Sequence, residues 1–204
     1  MVLTSPPYIN VFNYHQNNRR AMEIMGWDIL HVARSEIGSN RKNRQNRFLT
    51  VVQYAIDMLY ALHEARRVLR PDGRMIVVVG RVSNVRGVSF KNARLVAALA
   101  TGGAGFSLRG RYERQFKNKF GELIYEDILH LIPEHGRPIG PESFARVVAE
   151  AVLIEAAASA EQSVRHEILD AIKRASSVQA SPLFKVPDGT IVTNGQDTRR
   201  NSLP

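Results

Sequence analysis

From Phe48 onward apolar side chains recur every three or four positions, at Val51, Val52, Ala55, Ile56, Leu59, Leu62 and Leu69. That spacing predicts an amphipathic helix over 43–69. Arg66 and Arg67 sit in its last turns, where cations suit the helix dipole, and Arg70-Pro71-Asp72-Gly73 breaks it with turn chemistry. Met75 to Val79 is a continuous apolar run ended by Gly80, the pattern of a parallel strand buried on both faces. A shorter run, Met1-Val2-Leu3-Thr4, reads as the end of another buried strand. Phe90 to Ala100 predicts a helix closed by Gly102-Gly103. Phe106, Leu108, Gly110 and Tyr112 alternate with Ser107, Arg109, Arg111 and Glu113, so 106–114 suits a half-buried strand, and Leu123 to Ile132 gives a second. The two are expected to pair antiparallel at a sheet edge. Strands alternating with helices make the fold class α/β.

Residues 141–175 are rich in Ala and Glu, with apolar positions from Phe144 to Ile172, and predict one long or two shorter helices with a break near 159–163. From Ser176 onward Pro, Gly, Ser, Asn and Thr dominate, which predicts a flexible tail over 176–204. The chain therefore divides into 1–133, a helical extension at 134–175, and the tail. At 204 residues and 44% hydrophobic it is long enough for one core with appendages. No run of eighteen apolar residues and no signal-peptide pattern is present, so a soluble, cytoplasmic protein with no membrane partner is expected. The sequence has no cysteine, which excludes disulfides and thiolate metal sites, and its six histidines fall in no metal-ligand spacing.

After Thr4 come Ser5-Pro6-Pro7-Tyr8. Two prolines cannot donate to a sheet ladder, so the strand stops and the backbone turns out rigidly. In open α/β sheets ligands bind beyond the carboxyl ends of the strands. An array of Ser5 Oγ, the Pro6 carbonyl and the Tyr8 ring suits a planar ring that bears an exocyclic amine: the oxygens accept from the amine while Tyr8 stacks on the base. Thr-Ser-Pro-Pro-Tyr resembles the catalytic motif of the amino-methylating DNA methyltransferases, written Asp/Asn/Ser-Pro-Pro-Tyr/Phe in that family, with Ser first typical of cytosine-N4 enzymes. The helix, Leu-Arg-Pro-Asp-Gly turn and buried strand of 43–80 also resemble this fold, and the 106–132 strand pair resembles the reversed hairpin that closes its sheet. The resemblance implies a Rossmann-like fold, S-adenosylmethionine as methyl donor, DNA as partner, and Ser5, Pro6, Pro7 and Tyr8 as the catalytic residues. It favours cytosine N4 over adenine N6. Methylation at cytosine C5 needs a nucleophile, normally a thiolate, and this chain has none to offer. An exocyclic amine needs no covalent intermediate; it needs positioning.

Charge is uneven. Residues 1–120 hold 20 of the 28 Lys and Arg and 7 of the 19 Asp and Glu, a balance of +13, while 121–204 stand at −4. The densest stretch runs from Arg34 to Arg47 in a polar segment expected to be a mobile loop. Arg41, Lys42, Arg44 and Arg47 are its candidate phosphate contacts, and a solvated basic loop is the competing explanation. Tyr14, His15, Arg19 and Arg20 are weaker candidates for lining the base pocket.

One departure from the family stands out. Its glycine-rich Phe-x-Gly-x-Gly loop after a strand, and the acidic residue at the end of the next strand that grips the cofactor ribose, are both missing from this sequence. Thr101-Gly102-Gly103-Ala104-Gly105 follows a helix and precedes a strand, the reverse of a nucleotide-binding turn. The expectation is a methyltransferase core incomplete on its cofactor side, with that half on a partner chain. An inactive fragment, a non-catalytic DNA-binding subunit, and a methyltransferase for RNA or small amines stay open as alternatives.

Overall fold

In a computed structural model the protein is described at all residues except 10–12, 39–42, 44, 135 and 186–204. Among the candidate phosphate contacts, Arg41, Lys42 and Arg44 lie outside the described residues.

The fold is mixed α/β. A four-stranded sheet is built from β1 (Val2–Thr4), β2 (Met75–Gly80), β5 (Phe106–Lys117) and β6 (Leu123–Pro133), in the order β1-β2-β6-β5. Strands β1 and β2 are parallel, with Thr4 opposite Val77, and β6 runs antiparallel to both β2 and β5. A small hairpin, β3 (Ser83–Val85) with β4 (Val88–Phe90), follows β2. It turns on Arg86 and Gly87, both at positive φ (51° and 84°), which matches the right-handed strand twist.

Helices α1 (Tyr14–Asn17), α2 (Arg19–Ile24) and α3 (Ile29–Ser35) precede α4 (Leu49–Val68), and α5 (Asn92–Ala98) runs into a π-helical turn, Leu99–Gly103. Arg34 thus belongs to α3 instead of the loop expected to start there. The helix expected from residue 43 begins at Leu49. The cause is Asn46: its Oδ1 accepts from Phe48 N at 3.0 Å, while its Nδ2 donates to the Glu167 carbonyl at 2.7 Å and to Asp170 at 3.0 Å. The residues ahead of Leu49 are therefore drawn toward α7 (Gln162–Arg174). The C-terminal pair is α6 (Glu142–Ser159) and α7, broken at Ala160–Glu161 as the sequence predicts.

Helix α4 is the centre of the core. Val51, Val52, Tyr54, Ala55, Ile56, Leu59 and Leu62 have no exposed surface, because they share one core cluster with strand residues such as Met75, Val77 and Leu129 and pack against α6. Ala145, Ala149 and Leu153 of α6 and Ile168 and Ala171 of α7 join the same cluster. Small residues dominate α6 there, which lets its backbone approach α4 closely. Residues 178–185, expected within a free tail, are tied down. Ser181 N and Oγ both donate to Asp57, at 2.7 Å each, and the Phe184 ring lies 4.9 Å from Trp27.

The sheet is covered on one face. Met75, Val77, Val79, Leu129 and Leu131 are buried beneath the helices, whereas Ile76, Val78, Ile128 and Ile132 on the other face are only half-buried. On that same face Leu3 is 64% and Tyr112 is 59% exposed. The two-sided burial expected for Met75–Val79 is thus corrected: a run of apolar residues fixes the strand, and its second face has no helix packed on it among the described residues. Strand β1 stands at the sheet edge.

Candidate functional site

The ladder of β1 stops at Thr4, because Pro6 and Pro7 bring no N–H to continue it. The chain then turns across the carboxyl end of the sheet, and its position is set by contacts to distant elements. Tyr54, fully buried on α4, donates its hydroxyl to the Pro7 carbonyl at 2.9 Å. Burial pushes the Tyr54 hydroxyl well above the ordinary tyrosine value, with Asn92 beside it pulling the other way. Ile9, fully buried, anchors the segment after the motif.

Tyr8 lies against Gly80, the last residue of β2. A Cβ at Gly80 would meet Tyr8 Cε2 at 2.9 Å and Cδ2 at 3.0 Å, so the absence of a side chain there makes the ring's place. The Tyr8 hydroxyl donates to Glu126 Oε1 at 2.6 Å, and Arg114 donates to Glu126 Oε2 from Nε at 2.9 Å and from Nη2 at 2.5 Å. Gly80, Glu126 and Arg114 occupy one rung of the sheet, which is why the three meet Tyr8 together. One residue along, the buried Asp127 accepts from Arg81 Nη2 at 2.9 Å and from Arg111 Nε at 3.0 Å, and Arg81 also pairs with Glu113. The Arg81 guanidinium sits 5.2 Å from the centroid of the Tyr125 ring. Paired, hydrogen-bonded carboxylates of this kind bear a burial that single ones do not.

Burial, and then the hydrogen bond to Glu126, push the Tyr8 hydroxyl up to about 12 from an ordinary 10. The fold therefore favours the neutral phenol. The contribution of its hydrogen bond to stability is full below pH 10 and is lost as pH climbs through about 12. Following phenolate absorbance in an alkaline titration, Tyr8→Phe is expected to remove a component near pH 12 and leave the absorbance change around pH 10 as it is in the wild type. Loss of a component near pH 10 would contradict the Glu126 anchor.

Beneath the motif, a cleft of about 280 Å³ runs along the free edge of β1. Val2, Thr4 and Pro6 form one wall, with Met58, Ala61 and Leu62 of α4 facing them. Its lining is almost wholly apolar.

The structure brings Ser5, Pro6, Pro7 and Tyr8 together at the carboxyl rim as one segment. Arg47 is half-buried just ahead of α4. His15 is fully buried, with Nδ1 2.8 Å from Glu36 Oε2. Arg19 pairs with Glu23 on its own helix. The residues that position the motif, Tyr54, Gly80, Arg114 and Glu126, are not identified by sequence reasoning. A signal for one of them exists: Glu126-Asp127 is an acid pair inside a largely apolar strand, opposite a strand carrying four basic residues at 109–117. Buried acids in a strand call for basic partners across the ladder.

No family model, no curated protein and no solved structure matches this chain. Among the described residues no group of three His, Asp or Glu is placed to hold a metal ion, and no helix is long and apolar enough to cross a membrane.

Proposed function

We propose that this chain carries the target-base half of a Rossmann-like, S-adenosylmethionine-dependent methyltransferase acting on an exocyclic base amine in DNA, cytosine N4 ahead of adenine N6. The observation that carries the proposal is the clamped motif. Tyr54 holds Pro7 from below and Glu126 holds the Tyr8 hydroxyl from the side. Within the segment the Pro7 carbonyl is committed to Tyr54. That leaves the Pro6 carbonyl and Ser5 Oγ, whose hydroxyl hydrogen-bonds to the Tyr8 oxygen and keeps its lone pairs for an incoming amine. With both of its protons accepted by fixed oxygens, the amine is oriented before reaction, and that orientation is what the chain contributes. A parallel β1–β2 pair extended by an antiparallel hairpin agrees with the resemblance drawn from the sequence.

The methyl donor is not accommodated by these residues. S-adenosylmethionine supplies an electrophilic methyl group, and neither β1 nor β2 leads into a glycine-rich turn that would cradle it: Ser5-Pro6-Pro7 follows one, and Arg81-Val82-Ser83 the other. The cofactor half is assigned to further polypeptide that pairs with the edge of β1. A non-catalytic DNA-binding subunit is the second reading, favoured by this same lack of a cradle.

Tyr8 tests the base site directly. Tyr8→Ala is expected to weaken binding to a duplex with a mismatched, easily extruded base by about 1–3 kcal/mol, while Tyr8→Phe keeps the stacking surface and is mild. Fluorescence anisotropy on labelled duplexes measures both. Equal affinity for wild type and Tyr8→Ala would remove base stacking from the role of this residue.

A further inference from the structure

The hairpin that clamps Tyr8 does not stop at the rim of the sheet. Gly80 of β2 pairs with Glu126, and beyond that rung β5 and β6 continue as a two-stranded finger through Gln115–Tyr125, Phe116–Ile124 and Lys117–Leu123. Three rungs at about 3.4 Å each carry its end roughly 10 Å past the Tyr8 clamp. Its tip is pre-organised. Asn118 Oδ1 accepts from Phe120 N at 2.9 Å and from Glu122 N at 3.0 Å, and Asn118 N donates to the Glu122 carbonyl at 2.9 Å. Gly121, at φ 80°, allows the reversal.

This rigid turn holds Phe120 out in water at 75% exposure, with the Lys119 ammonium 4.9 Å from its ring centroid. Lys117 and Lys119 are both exposed and make no ion pair among the described residues. Lower on the same finger Arg114 lies 5.3 Å over the Phe116 ring. An ordered apolar ring flanked by unpaired cations is poorly suited to bulk water. It matches a ligand that offers flat apolar faces within a frame of negative charge.

We propose that this finger is a duplex-DNA contact: Phe120 wedges into the base stack, Lys117 and Lys119 meet the flanking phosphates, and the extruded base is received at Tyr8. The inference rests on the function proposed above and names how that site reaches its substrate. Extruding a base costs unstacking energy and leaves a gap, and an apolar wedge that enters the stack offsets part of that cost. Because Glu126 and Arg114 belong to the strands that form the finger, wedge and base site are fixed relative to each other.

The probe is a labelled duplex carrying one mismatched 2-aminopurine, whose fluorescence rises when it leaves the stack. Phe120→Ala is expected to lower affinity about tenfold and to suppress the fluorescence rise, with Phe120→Trp restoring both. Lys117→Gln and Lys119→Gln are each expected to flatten the slope of log affinity against log salt by roughly 0.9. The tip is exposed, so circular dichroism and thermal unfolding should match the wild type. If the Phe120 and lysine variants bind as the wild type does while Tyr8→Ala does not, the finger is overturned and the base site stands. Altered binding in the tip variants with Tyr8→Ala unchanged leaves the finger as a DNA contact and sinks the base site. Failure of the wild type to bind DNA overturns both. Tip variants that change only self-association in sedimentation assign the finger to a protein contact and overturn its role on DNA.

Discussion

Given S-adenosylmethionine and mixed-sequence duplex DNA, this chain alone is expected to transfer no methyl group, and calorimetric titration with the cofactor is expected to give no binding heat. The reason is architectural. The motif sits past the end of β1, which stands at the edge of the sheet, so no strand among the described residues pairs on its far side. On the function proposed above, the cofactor is held from that side by further polypeptide. Thermal unfolding gives a second readout, since a ligand that binds only the folded state raises the midpoint. Here the midpoint should stay unchanged across cofactor concentrations.

The same geometry predicts how the chain behaves in solution. The edge of β1 presents unpaired backbone groups, Leu3 is 64% exposed, and the cleft along β1 is lined by Val2, Met58 and Leu62. On the opposite, uncovered face, half-buried Ile76, Val78 and Ile128 add apolar surface next to Leu3. Free edges and contiguous apolar surface drive association. Self-association that rises with concentration, relieved by a polypeptide that adds a strand to β1, is the expected behaviour. Robust methyl transfer by the purified chain would sink this account and require a cofactor site elsewhere in it.

What could be read from the sequence was local. Pro6 and Pro7 end β1 because a residue without an N–H cannot continue a ladder, whatever surrounds it. Arg70 to Gly73 closes its turn with a hydrogen bond from Gly73 N to the Arg70 carbonyl at 2.8 Å, as the Pro-Asp-Gly chemistry requires. Alternation from Phe106 foretells a strand, but not its burial: of β5 only Phe106 is buried, and the strand runs three residues further than 106–114, since the finger needs no buried face to persist. Helices α1, α2 and α3, at four, six and seven residues, are too short to show a hydrophobic period. They are held instead by pairings such as His15 with Glu36, across 21 residues. The β3–β4 hairpin escapes notice because Arg86-Gly87 lacks the Asn or Asp that usually marks such a turn. The motif itself was visible, but its supports were not. Tyr8 and Glu126 are 118 residues apart and meet only through the sheet register. Tyr54 sits in a helix whose periodicity announces a core position and says nothing of a hydroxyl that reaches Pro7.

Tyr54 gives the largest expected effect on stability. Its side chain is fully buried, and its ring lies against Gly38, where a Cβ would come within 2.8 Å of Tyr54 Cδ2. Gly38, at φ 64°, is in turn held by a 3.4 Å hydrogen bond from its N–H to Asp57 on α4. Tyr54→Ala empties the volume of an aromatic ring between α4 and the motif and is expected to cost about 3–5 kcal/mol, by analogy with buried Phe→Ala. Tyr54→Phe keeps the ring and removes only the hydroxyl, leaving the Pro7 carbonyl without that donor, at about 1–2 kcal/mol. Urea unfolding should show both losses as shifts in midpoint at an unchanged slope. The two variants separate core from site. If the hydroxyl positions the motif, Tyr54→Phe loses affinity for the mismatched duplex under conditions where it is fully folded, because Ser5, Pro6 and Tyr8 are no longer fixed relative to one another. If Tyr54→Phe binds that duplex as tightly as the wild type, Tyr54 is a packing residue alone, and the rigidity of the motif has to come from the two prolines and from the Glu126 hydrogen bond to Tyr8.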